Sequence, residues 1–204
     1  MNLWLHSLSS QVDISLNGTQ VTTSTNTYPY RAIIETLLSY SDDTKMSQLT
    51  SSLFYEDQAG RMDVVDFGEA ARNRGLSNRS RFTRGSRVVD MIGRINADIF
   101  FQNRYLLNKV NIKIKLVRNR NSFCVMSANA FQAMIDSAIM FVRKVKLSPS
   151  VFLAHVKHWR IPQPSIPYIY RAVCKTITIP NTFRDINVEK LFSGNFHRAW
   201  LSVL

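Results

Sequence analysis

The first patterned stretch of the chain alternates strictly. Val12, Ile14 and Leu16 are apolar, while Asp13 and Ser15 between them are polar. A period of two is that of a strand with one face buried and the other wet. Asn17-Gly18 follows directly. Both residues tolerate positive φ, so the pair predicts a two-residue type I′ turn. Residues 19–25 are β-branched and polar and read as the return strand. The period then changes. Pro29 suits a first helical turn, and Ile33, Ile34, Leu37 and Leu38 fall on one helical stripe, which predicts a helix near 30–40. Met46, Leu49 and Leu53 recur at helical spacing and predict a second helix over 43–55. A hairpin and a helix within forty residues, with no strand before them, read as a chain that begins inside a larger β protein.

Residues 56–80 are polar, contain Gly60, Gly68 and Gly75, and show little periodicity. They predict a long loop near 56–86, of the kind that decorates a rigid scaffold. Beyond it the strand period returns. Residues 87–101 (RVVDMIGRINADIFF) predict one or two strands, and residues 110–117 (VNIKIKLV) the clearest strand of all. There Val110, Ile112, Ile114 and Leu116 face one way, and Asn111, Lys113 and Lys115 the other; a helix would scatter them around its circumference. Residues 134–147 predict another strand, stopped at Ser148-Pro149 because proline cannot donate to a ladder. Pro162, Pro164 and Pro167 mark an irregular connection, and residues 170–179 (YRAVCKTITI) a last strand closed by Pro180. Strands with turn punctuation and short inserted helices predict a mainly β fold, a β-sandwich or jelly roll with short inserted α-helices.

Charge adds a polarity to this picture. Residues 1–98 carry 10 basic and 11 acidic side chains, whereas residues 99–204 carry 16 and 3. Nearly all of the net +12 therefore lies in the C-terminal half, a field that attracts polyanions. No apolar run approaches the roughly 20 residues that span a bilayer. MNLWLHSLSS has no basic start before its apolar residues and makes a poor secretory signal, which points to an intracellular chain and to unmodified sequons at Asn17 and Asn78. Cys124 and Cys174 stand 50 apart with no CxxC and read as buried thiols.

Candidate chemistry is sparse. His155 and His158 have the i, i+3 spacing that could share a metal, but no Glu or Cys stands near them, so packing or surface roles fit better. There is no GxSxG and no glycine-rich phosphate loop, and most of the 14 carboxylates sit in polar stretches. These absences predict that the chain is not an enzyme and takes no cofactor, metal or small-molecule substrate. Arg72, Arg74, Arg79, Arg81, Arg84 and Arg87 fall within 16 residues, with Phe82 among them. Arginine forks grip phosphate and aromatics stack on bases, so the six are candidate polyanion contacts. The plainer reading is a solvated basic loop or one that meets acidic neighbours in an assembly. Lys113 and Lys115 read as solvent-facing or edge-protecting charges.

Four stretches taken together, LHSLSSQVDISLNGTQVTTSTNTYPYRAIIETLLSY, FTRGSRVVDMIGRINADIFFQNRYLLNKVNIKIKLVRN, FVRKVKLSPSVFLAH and RAVCKTITIP, resemble the major capsid protein of Maverick/Polinton elements and the related adintoviruses. The resemblance runs over roughly residues 3–192. It implies a double jelly-roll subunit, hexon-like, that trimerises into a pseudo-hexagonal capsomer and tiles an icosahedral shell with other capsid proteins. It carries no catalytic residues. It also implies that the chain holds most of the first jelly roll, as a partial domain over 1–192, truncated at both ends. Residues 193–204 (SGNFHRAWLSVL) diverge from the family pattern in the way a one-base frame change would produce.

The sequence thus predicts a structural capsid fragment from an integrated element, located in a virion capsid if it functions there and otherwise intracellular, in cytoplasm or nucleus. Its expected partners are copies of itself in a trimer, other capsid proteins and non-specifically held DNA, with no membrane. The alternative is a basic nucleic-acid-binding module acting through residues 72–87. A sandwich lacking outer strands would expose ladder groups and apolar surface, so the isolated chain is expected to be marginally stable or prone to aggregate.

Overall fold

A computed structural model of the chain describes residues 2–65, 73–102, 106, 110–125, 127, 130–159, 173–179 and 187–188. Two compact units are present, Met1–Ala133 with Arg171–Leu204, and Met134–Tyr170. The expected tail at 193–204 lies outside the described residues.

In the first unit a short helix α1, Trp4–Ser7, leads into β1, Ser9–Leu16. The alternation places Val12 and Ile14 in the core and leaves Asp13 and Ser15 on the other face. Asn17 (φ 50) and Gly18 (φ 86) make the predicted turn, with positive φ at both positions. The return strand is shorter than expected: β2 is only Thr19–Gln20. Past it the Val21 N–H still reaches the Ile14 carbonyl at 2.8 Å, but the Ile14 N–H donates to the Thr22 hydroxyl at 2.8 Å, so a side chain ends the ladder.

A 12-residue helix follows, α2, Tyr28–Ser39, with Pro29 in its first turn as expected. Its buried face is not the large apolar stripe. Tyr28, Pro29, Ala32 and Thr36 turn inward, while Leu37 and Leu38 are half exposed. Small Ala32 lets the helix approach Leu3 and Phe54, and Ile33 and Leu49 pack around that cluster. The helix expected over 43–55 is broken into α3, Asp42–Met46, and a 3-10 turn, Gln48–Ser52, ended by Leu53 in the left-handed region (φ 58). The region read as a loop over 56–86 contains α4, Arg74–Thr83, capped by the Asn73 side chain, which accepts from the N–H groups of Gly75 and Leu76. Its sequence is strongly polar, so no apolar stripe announced it.

Residues 87–101 form no strand; a 3-10 turn, Asp98–Phe100, closes them. Their backbone is taken up locally instead, Ile92 exchanging with Ser51 (N–H to carbonyl 3.1 Å, Ser51 hydroxyl to the Ile92 carbonyl 3.0 Å). The clearest predicted strand is present as β3, Ile112–Arg118, antiparallel to β1 in the order β2-β1-β3. Ile14 faces Ile114, and Leu16 faces Ile112, on one side. Asp13 faces Lys115, and Ser15 faces Lys113, on the other. Val12, Ile14, Tyr28, Ala97 and Ile99 form the main core, with Leu16, Ile95, Ile112 and Ile114 against it. After β3 comes the short α5, Asn121–Cys124.

The second unit holds a helix the sequence did not suggest, α6, Pro149–Trp159, with Pro149 opening its first turn. The strand expected over 134–147 forms no ladder, and neither do residues 173–179; residues 170–172 lie outside the described residues. Alternation supplies a strand's faces but not its partner, and a ladder needs both. Among the described residues the fold is a mixed α/β one, a three-stranded antiparallel sheet with helices, in place of the larger set of strands expected. No helix among them is long and apolar enough to cross a membrane.

Candidate functional site

The arginine cluster is the most distinctive chemistry of the first unit, and the structure sorts its members. Arg72 lies outside the described residues. Helix α4 places Arg74 and Arg81 seven residues apart, hence on one face, and Arg84 caps the helix one turn on. Arg74, Arg81, Arg84 and Arg87 are all exposed. Among the described residues, none of the four has a hydrogen bond or ion pair through its side chain.

Arg79 projects from the opposite face and is buried, 8% exposed. Its Nη2 pairs with Asp57 Oδ1 at 2.7 Å, and its Nη1 donates to the Tyr55 carbonyl at 2.7 Å. Arg79 is therefore removed from the candidate contacts: it fastens α4 to residues 55–57. Gly75 belongs to the same seam, since a Cβ there would collide with the Glu56 carbonyl oxygen. On the flank of the helix the half-exposed Phe82 ring stacks on Tyr55, with centroids 6.2 Å apart and planes 28° apart. Reading six arginines as equivalent missed this division, although helical spacing alone puts Arg79 across from Arg74 once the segment is taken as a helix.

A second polar cluster is buried and was not foreseen. His6 of α1 meets Tyr28 of α2, Nδ1 to hydroxyl 2.9 Å, and the same hydroxyl accepts the Asn96 N–H at 3.4 Å. Burial holds the His6 imidazole down at about 4. Burial also pushes the Tyr28 hydroxyl up to about 12, with the Asn96 N–H working the other way. Both are neutral near pH 7, and one hydrogen bond joins the Tyr28 hydroxyl to Nδ1. Neither is poised for acid–base work at that pH. Nearby, Arg31 binds both Asp98 and Glu35, the latter at 2.7 Å. Burial opposes the Arg31 charge, but Asp98 and then Glu35 outweigh it and hold the guanidinium above its ordinary value. No local spacing links residues 22 and 67 apart, which is why the sequence did not reveal these pairs.

Cys124 and Cys174 are free thiols. Burial raises Cys124, whose Sγ donates to the Ser7 carbonyl at 3.2 Å, and Arg118 only partly offsets this. Burial likewise raises Cys174 against a hydrogen bond with Thr27. Neither is an activated nucleophile. No group of three His, Cys, Asp or Glu among the described residues could hold a metal ion. His155 and His158 lie in α6, and their side chains are outside the described set.

No protein-family profile matches the chain, and no solved structure does. The chain is similar to a Caenorhabditis elegans protein, "Uncharacterized protein F54H12.2", with 26% identity over 125 residues. The match takes in 61% of this chain and 27% of that protein, so the chain spans well under half the length of the relative it matches.

Proposed function

We propose that the chain is a structural subunit of a self-assembling shell, similar to the jelly-roll major capsid protein of Maverick/Polinton elements and adintoviruses, and acts by shape and self-association without catalysis. On this reading the β2-β1-β3 sheet belongs to one sheet of a jelly roll, and the working form is a trimeric capsomer in contact with other capsid proteins.

The observation that carries the reading is apolar surface. In the second unit Met134 and Phe141 are each 80% exposed and Ile139 is 78% exposed, in a largely apolar stretch that joins no ladder among the described residues. Val173, Ile177 and Ile179 of the first unit are also about half exposed. Contiguous exposed apolar residues mark surface that another chain covers. On this reading subunits meet there.

Size-exclusion chromatography with light scattering tests it. The expected species has the mass of three 23.4 kDa chains, and Phe141→Asp shifts it toward smaller species. A monodisperse monomer that unfolds sharply and reversibly would overturn the proposal.

A further inference from the structure

We propose that the outward face of α4, made by Arg74, Arg81 and Arg84, continued by Arg87 and flanked by Phe82, binds single-stranded nucleic acid through its phosphates, without regard to sequence. The inference is independent of the assembly reading.

Three observations carry it. First, the cations are available: all four arginines are exposed, and none is ion-paired with another described residue. Residues 73–89 contain no Asp or Glu that could compete for them. A planar guanidinium fork donates bidentately to phosphate oxygens.

Second, the face is rigid and of the right length. At about 1.5 Å rise per residue, Arg74 and Arg84 lie about 15 Å apart along the axis, a reach of about four stacked nucleotides. Burial of Arg79 against Asp57 and the Tyr55 carbonyl fixes the helix about its axis, so the other arginines are held outward. The backbone at Gly75 is pressed against Glu56, which leaves the helix little room to roll.

Third, an aromatic platform stands beside the cations. Phe82 is 44% exposed, with its ring backed by Tyr55. A ring held on one side and open on the other suits base stacking, which every base offers and which a closed duplex hides. Arginines alone would equally suit an acidic peptide or a duplex; the platform favours an unpaired strand.

The test uses the full chain and a short fluorescent oligothymidine, read by anisotropy. With about four phosphates engaged, affinity should fall about 50-fold between about 50 and about 200 mM salt. Neutralising the face (Arg74→Gln, Arg81→Gln, Arg84→Gln, Arg87→Gln together) should cost at least about tenfold at the lower salt and flatten the salt dependence. Arg74→Gln and Arg84→Gln singly should each lower the log–log slope by about 0.7, which keeps the proposal testable should the fourfold variant misfold. Phe82→Ala should weaken binding several-fold with the slope unchanged. No binding at low salt, or neutralised chains that bind as the parent does, would overturn the site. Competition by polyglutamate at equal charge would overturn it in favour of an acidic protein partner. Duplex binding as tight as single strand, indifferent to Phe82→Ala, would overturn the single-strand assignment.

Discussion

Arg79 and Asp57 form an ion pair at 2.7 Å with both side chains about nine-tenths buried, which makes one arginine of a basic cluster a structural fastener. The carboxylate meets one arm of the fork and the Tyr55 carbonyl another, while Nε has no partner among the described residues. Deleting either charge leaves the other desolvated and alone. Arg79→Gln or Asp57→Asn should therefore cost about 3–5 kcal/mol in denaturant unfolding, far more than any exposed arginine of α4. Arg74→Gln and Arg81→Gln should change stability by less than about 0.5 kcal/mol. Equal costs for Arg79→Gln and Arg74→Gln would show that the buried pair does not hold the helix.

The same helix depends on its cap. Asn73 is almost fully buried, and its side chain satisfies two N–H groups of the first turn while its own amide donates to the Arg61 carbonyl at 2.9 Å. Asn73→Ala should cost about 1–2 kcal/mol. Gly75→Ala, which drives a Cβ onto the Glu56 carbonyl, should also destabilise, despite alanine's better helix propensity. A stabilised Gly75→Ala protein would mean that α4 stands away from residues 56–57.

How much of this was written in the sequence depends on the range of the interaction. The β1-β2 hairpin was legible because Val12, Ile14 and the Asn17-Gly18 pair carry period and turn chemistry within ten residues. β3 was legible as a strand, but its pairing with β1 about 100 residues earlier was not, since alternation names no partner. The expected strands at 87–101 and 134–147 join no ladder among the described residues, since apolar composition likewise names no partner. Helix α4 escaped notice because its inward face is built from Gly75, Leu76 and Arg79, with a charge where a stripe would show an aliphatic residue. The arginine site was half legible: residue type was plain, but which arginine turns inward follows from Asp57, 22 residues away.

The core side of β1 offers a direct measure of packing. Ile14 is fully buried and faces Ile114 across the ladder. Ile14→Ala removes three carbons from the centre of the main cluster and should cost about 2–5 kcal/mol by denaturant midpoint. Leu38→Ala, at a half-exposed position on α2, should cost less than about 1 kcal/mol in the unassembled chain. If both cost the same, Ile14 is not the centre of the core.

The link between His6 and Tyr28 makes stability depend on acid in a defined window. Burial keeps the native imidazole near 4, whereas an unfolded histidine titrates near 6.5. Above pH 6.5 the group is neutral in both states and contributes no slope. As the pH falls from 6.5 toward 4, the unfolded chain takes up a proton that the native chain refuses, and the native state loses ground. The loss approaches about 1.4 kcal/mol per pH unit and totals about 3 kcal/mol once the pH is below both values. His6→Gln keeps a hydrogen-bonding group near the Tyr28 hydroxyl and removes the titration. Between pH 7.5 and pH 5 the parent should therefore lose about 2 kcal/mol more than His6→Gln in denaturant unfolding. Parallel pH profiles for the two proteins would mean that His6 is hydrated in the native state, and that α1 does not close over Tyr28.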